Sequence, residues 1–224
     1  MIYILDTADL AAIKHCNEFY PLAGVTTNPT IISKENTDFW PLLENIRKII
    51  GPEKMLHVQT TAEKAEDIVA EAKLLKERLG DNFYIKIPIG EEGLKATMML
   101  KKIGIPVTVT AIFTPAQALI AAMAGASFVA PYANRLDNIL GDGCTIVAEA
   151  VELLKIYGSD CKVLAASFKN AEQVHKCEMA GCHSVTVPAD ILKTLVTHPM
   201  TDSAITGFKQ DWERVYGDKT ILDL

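Results

Sequence analysis

Eight short strand-like runs, each followed by a helical stretch, predict an α/β fold, and three observations carry that reading. The strand runs are rich in β-branched residues, while the stretches between them repeat apolar residues every three to four positions. Each strand–helix unit takes roughly 20–35 residues. The 224-residue chain ends soon after the eighth unit and contains no Pro/Ser-rich linker. Together these describe one (β/α)8 TIM barrel over residues 1–224, near the short end of that fold's range.

The strands are expected at Ile2–Asp6, Gly24–Asn28, Met55–Thr60, Phe83–Ile89, Pro106–Ile112, Phe128–Tyr132, Lys162–Phe168 and Ser184–Pro188. The clearest helix is Lys64–Leu79, where Ala65, Ile68, Val69, Ala72 and Leu75 form one apolar stripe. Gly93–Lys102, Pro115–Ala124, Cys144–Tyr157, Ala171–Ala180 and Ala189–His198 follow the same pattern. A last helical stretch, Asp202–Tyr216 with Ile205, Phe208 and Trp212, lies beyond the eighth unit. It either caps the barrel or packs on a neighbouring subunit. An open doubly wound sheet would need a glycine-rich turn after the first strand, where Asp6-Thr7-Ala8-Asp9 stands instead. Gly141-Asp142-Gly143 lacks a third glycine and is a weak dinucleotide fingerprint.

Composition narrows the function. The formal net charge of −6 argues against a nucleic-acid partner. No stretch reaches the roughly 18 apolar residues of a membrane span. Met1-Ile2-Tyr3-Ile4-Leu5-Asp6 lacks the basic start of a signal peptide. Five scattered cysteines form no CxxC pair, so reduced thiols in a cytoplasmic protein are expected.

Lys86 stands out because it interrupts the apolar run Phe83-Tyr84-Ile85-Lys86-Ile87-Pro88-Ile89. Burying an ammonium disfavours its charged form and lowers the pKa, and the neutral amine attacks carbonyl carbon. Imine chemistry is the expectation. Strand alternation puts Lys86 on the inward face with Tyr84 and Pro88. The same alternation brings inward Asp6, then Thr26 and Asn28, His57 and Gln59, Thr108 and Thr110, and Tyr132 with Asn134. Singly, these have plain explanations: Asp6 and Asn28 as helix caps, the threonines as strand formers, Gln59 and Tyr132 as satisfied core residues. Their convergence in phase with a lysine is what those explanations leave out. His57 reads as structural; with no second histidine at ligand spacing, no metal site is expected. Arg135, Ser167 and Lys169, near the ends of strands six and seven, suit a phosphate dianion. An ion pair of Arg135 with Asp137 or Asp142 is the plainer alternative.

Gly24-Val25-Thr26-Thr27-Asn28-Pro29-Thr30, Ile85-Lys86-Ile87-Pro88, Ala130-Pro131-Tyr132-Ala133-Asn134-Arg135 and Ala165-Ala166-Ser167-Phe168-Lys169 resemble the transaldolase family, in its small (TalC-type) branch. The resemblance runs across nearly the whole chain. It implies a class I aldolase barrel with Lys86 as the Schiff-base lysine, no cofactor, and a role in carbohydrate metabolism beside the pentose phosphate pathway. It assigns Asp6, Gln59, Thr110 and Tyr132 to catalysis, and Thr26, Asn28, Thr108, Asn134, Arg135, Ser167 and Lys169 to substrate. Gln59 and Tyr132 resemble the branch members with fructose-6-phosphate aldolase activity, where transaldolases typically carry Glu and Phe. Thr108 departs from both patterns. The implied reaction is reversible cleavage of fructose 6-phosphate to dihydroxyacetone and glyceraldehyde 3-phosphate. Transfer of the dihydroxyacetone unit between sugar phosphates is the alternative, and a non-catalytic sugar-phosphate-binding barrel the second. The resemblance also implies a homo-oligomer, a ring pentamer or a decamer, with the C-terminal helix on a neighbour.

Overall fold

The computed structural model describes residues 1–224. In chain order the elements are β1 (Ile2–Asp6), α1 (Leu10–Phe19), β2 (Gly24–Thr26), α2 (Pro29–Lys34), α3 (Phe39–Ile50), β3 (Met55–Gln59), α4 (Ala65–Leu79), β4 (Phe83–Pro88), α5 (Glu91–Lys102) and β5 (Val107–Ile112). They continue as α6 (Pro115–Ala124), β6 (Phe128–Pro131), α7 (Ala133–Asp137), α8 (Gly143–Ile156), β7 (Lys162–Ala165), α9 (Ala171–Met179), β8 (Ser184–Val187), α10 (Ala189–Val196) and α11 (Pro199–Tyr216). The strands pair in parallel and in sequence order, and β1 closes on β8. This is the eight-stranded α/β barrel that the strand–helix repeat predicts, with one extra helix at the C-terminus.

Alternation divides each strand between two cores. Val25, Val58, Ile85, Ile87, Val109 and Val185 point outward and pack under the helices. Ile4, Phe128, Ala130, Leu164 and Ala166 point inward and form a smaller cluster that fills the barrel, against which Ile2, Met55, Tyr84 and Tyr132 pack. The barrel interior is therefore packed beneath the site.

Several strands end sooner than the residue types suggest, for local reasons. β2 stops at Thr26 because Asn28 becomes the N-cap of α2: its side chain accepts from the Ile31 N–H at 3.0 Å, and Pro29 opens the helix. β7 stops at Ala165, and Ser167 takes a left-handed conformation (φ 65°). In β5, Ala111 (φ 57°) forms a bulge that shifts the pairing with β6 between Val109 and Ile112. A one-residue shift swaps faces, so Ile112 lands in the outer core while Thr110 stays with the inward set.

Helix boundaries follow their caps. α5 begins at Glu91, two residues before the predicted start, with Glu91 and Glu92 in its first turn, where the helix dipole favours acids. α11 begins at Pro199 rather than Asp202, the His198 ring accepting from the Met200 N–H at 3.1 Å. α2 and α7, six and five residues long, are too short to show the helical period. α11 buries none of its residues and leaves Met200, Ile205, Phe208 and Val215 exposed. No helix is long and apolar enough to cross a membrane.

Candidate active site

Lys86 lies on β4 with 5% of its surface exposed, and its Nζ donates to the Thr27 carbonyl at 2.9 Å. Burial pushes its pKa below the ordinary lysine value; the charge of Asp6 opposes that shift. Burial pushes the Asp6 carboxyl the other way, upward, against the pull of Lys86 and a hydrogen bond from Thr26. Each group thus limits the other's neutralisation. Thr26 Oγ1 donates to Asp6 Oδ1 at 2.6 Å and lies 2.6 Å from Thr186 Oγ1. Across the barrel, Thr110 Oγ1 donates to the Tyr132 hydroxyl at 3.2 Å.

Above this layer opens a cavity of about 400 Å³. Lys86 and Thr186 form its buried floor, with Asp6 and Tyr132 partly buried beside them. Lys34, Arg135 and Lys169 stand exposed around it, with Asn28, Thr30 and Ser167. Three cations outnumber the two carboxylates, Glu35 and Asp190, that share the rim, which suits an anionic ligand. The Arg135 guanidinium sits 4.8 Å from the Tyr132 ring centroid, a cation–π contact. Its alternative acid partners are engaged elsewhere. Asp137 accepts from Gln173 Nε2 at 2.6 Å and the Gly143 N–H at 2.9 Å, and Asp142 accepts from the Thr145 N–H at 3.0 Å.

The rim is held from behind by α9. Gln173 accepts from the Lys169 N–H at 2.8 Å and donates to Asn134 Oδ1 at 3.2 Å. Gly143 fits here because a Cβ would lie 2.2 Å from the Ala133 carbonyl oxygen. Ser167 enters the cavity through its left-handed backbone, not through strand alternation.

Of the residues singled out in the sequence, Asp6, Asn28, Lys86, Tyr132, Arg135, Ser167 and Lys169 line one cavity. Thr26 and Thr110 are fully buried and bond to members of that lining. The Thr108 hydroxyl lies 2.9 Å from His57 Nδ1. Asn134 turns its side chain to α9. Gln59 pairs in register with Lys86 but lines a separate hollow with Trp40, Thr61 and Glu71. His57 serves the packing: its ring stacks on Tyr84 at 4.6 Å and meets Phe128 edge-on at 5.5 Å. Burial, then the charge of Lys86, lowers its pKa to about 3. Thr186 and Lys34 line the site without having been singled out. Strand eight's inward pair, Ser184 and Thr186, carried the missing signal for the first; nothing in the short helix α2 marked the second.

The barrel and this cavity define an aldolase-type enzyme once set beside known proteins. The chain belongs to the transaldolase/fructose-6-phosphate aldolase family, whose model matches residues 3–219. Among solved structures, one described as "Native KDPGal structure" superposes with a TM-score of 0.56 at 20% identity. That match covers 84% of this chain and 82% of the other, and it supports the barrel fold.

Proposed function

We propose that the protein cleaves fructose 6-phosphate reversibly to dihydroxyacetone and glyceraldehyde 3-phosphate through an imine on Lys86. The observation that carries this reading is a buried lysine beside a carboxyl group, at the floor of a cavity rimmed by three cations. Neutral Lys86 adds to the C2 ketone, and loss of water with uptake of one proton, returned at the final hydrolysis, gives a protonated imine. As the C4 hydroxyl loses its proton, the C3–C4 bond breaks and its electron pair moves toward the imine, leaving an enamine. Glyceraldehyde 3-phosphate departs. A proton returns to C3 and water releases dihydroxyacetone, regenerating Lys86.

In this scheme Asp6 and Asn28 position the imine and the donor hydroxyls. Tyr132, braced by Thr110, handles the proton that leaves the C4 hydroxyl and returns to C3. Arg135, Ser167 and Lys169 hold the phosphate. The lysine itself supplies the electron sink, so the reaction calls for no cofactor. Borohydride reduction in the presence of dihydroxyacetone, followed by peptide mapping, should label Lys86. An unlabelled Lys86 would exclude imine chemistry and leave the sugar-phosphate-binding barrel.

Transaldolase activity is the second reading, and one observation favours it. Gln59 lines the Trp40–Glu71 hollow and not the cavity above Lys86, which leaves Tyr132 to handle the proton without the glutamine that the resemblance assigns to catalysis. An enamine that is protonated slowly waits for an acceptor aldehyde. Release of glyceraldehyde 3-phosphate with no acceptor present supports the aldolase; transfer only after erythrose 4-phosphate is added supports the transferase. We place the protein in the cytoplasm, which its five free cysteines fit. We also take it to be a homo-oligomer, in which a neighbour covers the exposed apolar residues of α11.

A further inference from the structure

We propose that Thr186, on β8, is a positioning residue of the imine reaction, acting through Thr26 on the Asp6 carboxylate. The inference rests on the imine reading above and adds a strand that the catalytic assignment leaves out. Thr186 is 2% exposed, lines the cavity, and lies 2.6 Å from Thr26 Oγ1. Thr26 has one hydroxyl proton, and that proton goes to Asp6 Oδ1 at 2.6 Å. The Thr26 oxygen must then accept the proton of Thr186. The chain therefore runs Thr186 to Thr26 to Asp6, with β2 and β8 flanking β1.

Two consequences follow from the direction of that chain. Each bond polarises the next, so the Thr186 hydroxyl strengthens the bond from Thr26 to the carboxylate. With Oδ1 tied, Oδ2 is the oxygen left for the reacting groups beside Lys86. A valine at position 186 keeps the shape but removes the first proton of the chain. Thr26 is then free to rotate, and the carboxylate loses its fixed orientation.

Five variants test this, each checked by its melting curve: Thr186→Val, Thr186→Ser, Thr186→Ala, Asp6→Asn and the double variant Asp6→Asn with Thr186→Val. Thr186→Val should lower kcat for cleavage by about two- to tenfold, the scale of one hydrogen bond between neutral groups, with KM nearly unchanged. Thr186→Ser should recover most of that loss and Thr186→Ala should not; this pair differs by the hydroxyl alone and decides the matter if the valine variant fails to fold. In an Asp6→Asn background, Thr186→Val should cost nothing further, because the group it orients is gone. Wild-type kinetics in Thr186→Val, equal rates for the serine and alanine variants, or the same fold-loss with and without Asp6 would each overturn the proposal. Borohydride labelling of the wild type separates the two failures. A labelled Lys86 with an unaffected Thr186→Val overturns the role of Thr186 alone, whereas an unlabelled Lys86 overturns the imine reading and this proposal with it.

Discussion

The floor and the rim of the cavity are built by different means. The floor is made of strand residues, Asp6, Thr26, Lys86, Thr110 and Thr186, whose direction is set by the pleat and whose hydroxyls bond to one another or to the floor's ionisable groups. The rim is made of residues beyond the strands: Lys34 on a six-residue helix, Arg135 on a five-residue helix, and Ser167 on left-handed backbone. On the Arg135–Lys169 side its order is borrowed from α9, through Gln173. A barrel can therefore fix the geometry where bonds change and leave the geometry where a charged tail binds to shorter, more adaptable segments.

The largest way to test that division is to remove the amine. Lys86→Met should lower turnover by at least about 10⁴-fold and abolish borohydride labelling, yet leave binding of a sugar phosphate measurable by calorimetry. Loss of binding as well would mean that floor and rim are one unit. Next comes Arg135→Ala. It should raise KM for phosphorylated substrate by about ten- to a hundredfold while leaving turnover of unphosphorylated glyceraldehyde unchanged. A fall in kcat with both aldehydes would dissolve the distinction.

Gly143→Ala tests whether the rim depends on its backing. The added methyl meets the Ala133 backbone, so α7 must shift, at a stability cost of about 1–3 kcal/mol. Phosphate-dependent KM should rise while labelling of Lys86 persists.

The last test concerns the packing below the floor, where the effect is on acid stability and not on turnover. The folded-state pKa of His57, about 3, lies below its ordinary value of 6.5. Between those values the unfolded chain holds a proton that the folded chain does not. Stability is therefore lost as pH falls through that window, at up to about 1.4 kcal/mol per pH unit. His57→Gln removes this loss, so its acid-unfolding midpoint, followed by circular dichroism, should move to lower pH. An unchanged midpoint would mean that other groups control acid unfolding.

Much of the floor was legible in the sequence because a strand's alternation is a fixed rule. Asp6, Thr26, Lys86, Thr110 and Tyr132 could be assigned to one face by counting in twos. Thr186 obeys the same rule. The rim was legible by residue type but not by mechanism: Ser167 arrives through a backbone turn that alternation does not describe. Gln59 shows the limit of phase. It pairs with Lys86 as expected, yet it lines the Trp40–Glu71 hollow and not the cavity above Lys86. The helices α4, α5, α6, α8, α9, α10 and α11 were read to within a few residues, whereas α1 and α3 were not delimited, although α3 buries a full stripe of Leu42, Leu43, Ile46 and Ile50. α2 and α7 offer fewer than two full turns of pattern.

The inward cluster of Ile4, Phe128, Ala130, Leu164 and Ala166, with the His57–Tyr84 stack, packs the barrel beneath the catalytic chamber, whose cavity opens toward the rim. On the proposed scheme, traffic must then be last in, first out. The ketone fragment tethered to Lys86 cannot leave past an aldehyde still standing in the doorway, so the phosphorylated piece exits first. Whatever enters next decides the fate of the tethered carbons. A proton and water make the protein an aldolase; a second aldehyde makes it a transferase. The order of departure turns the identity of the enzyme into a queue.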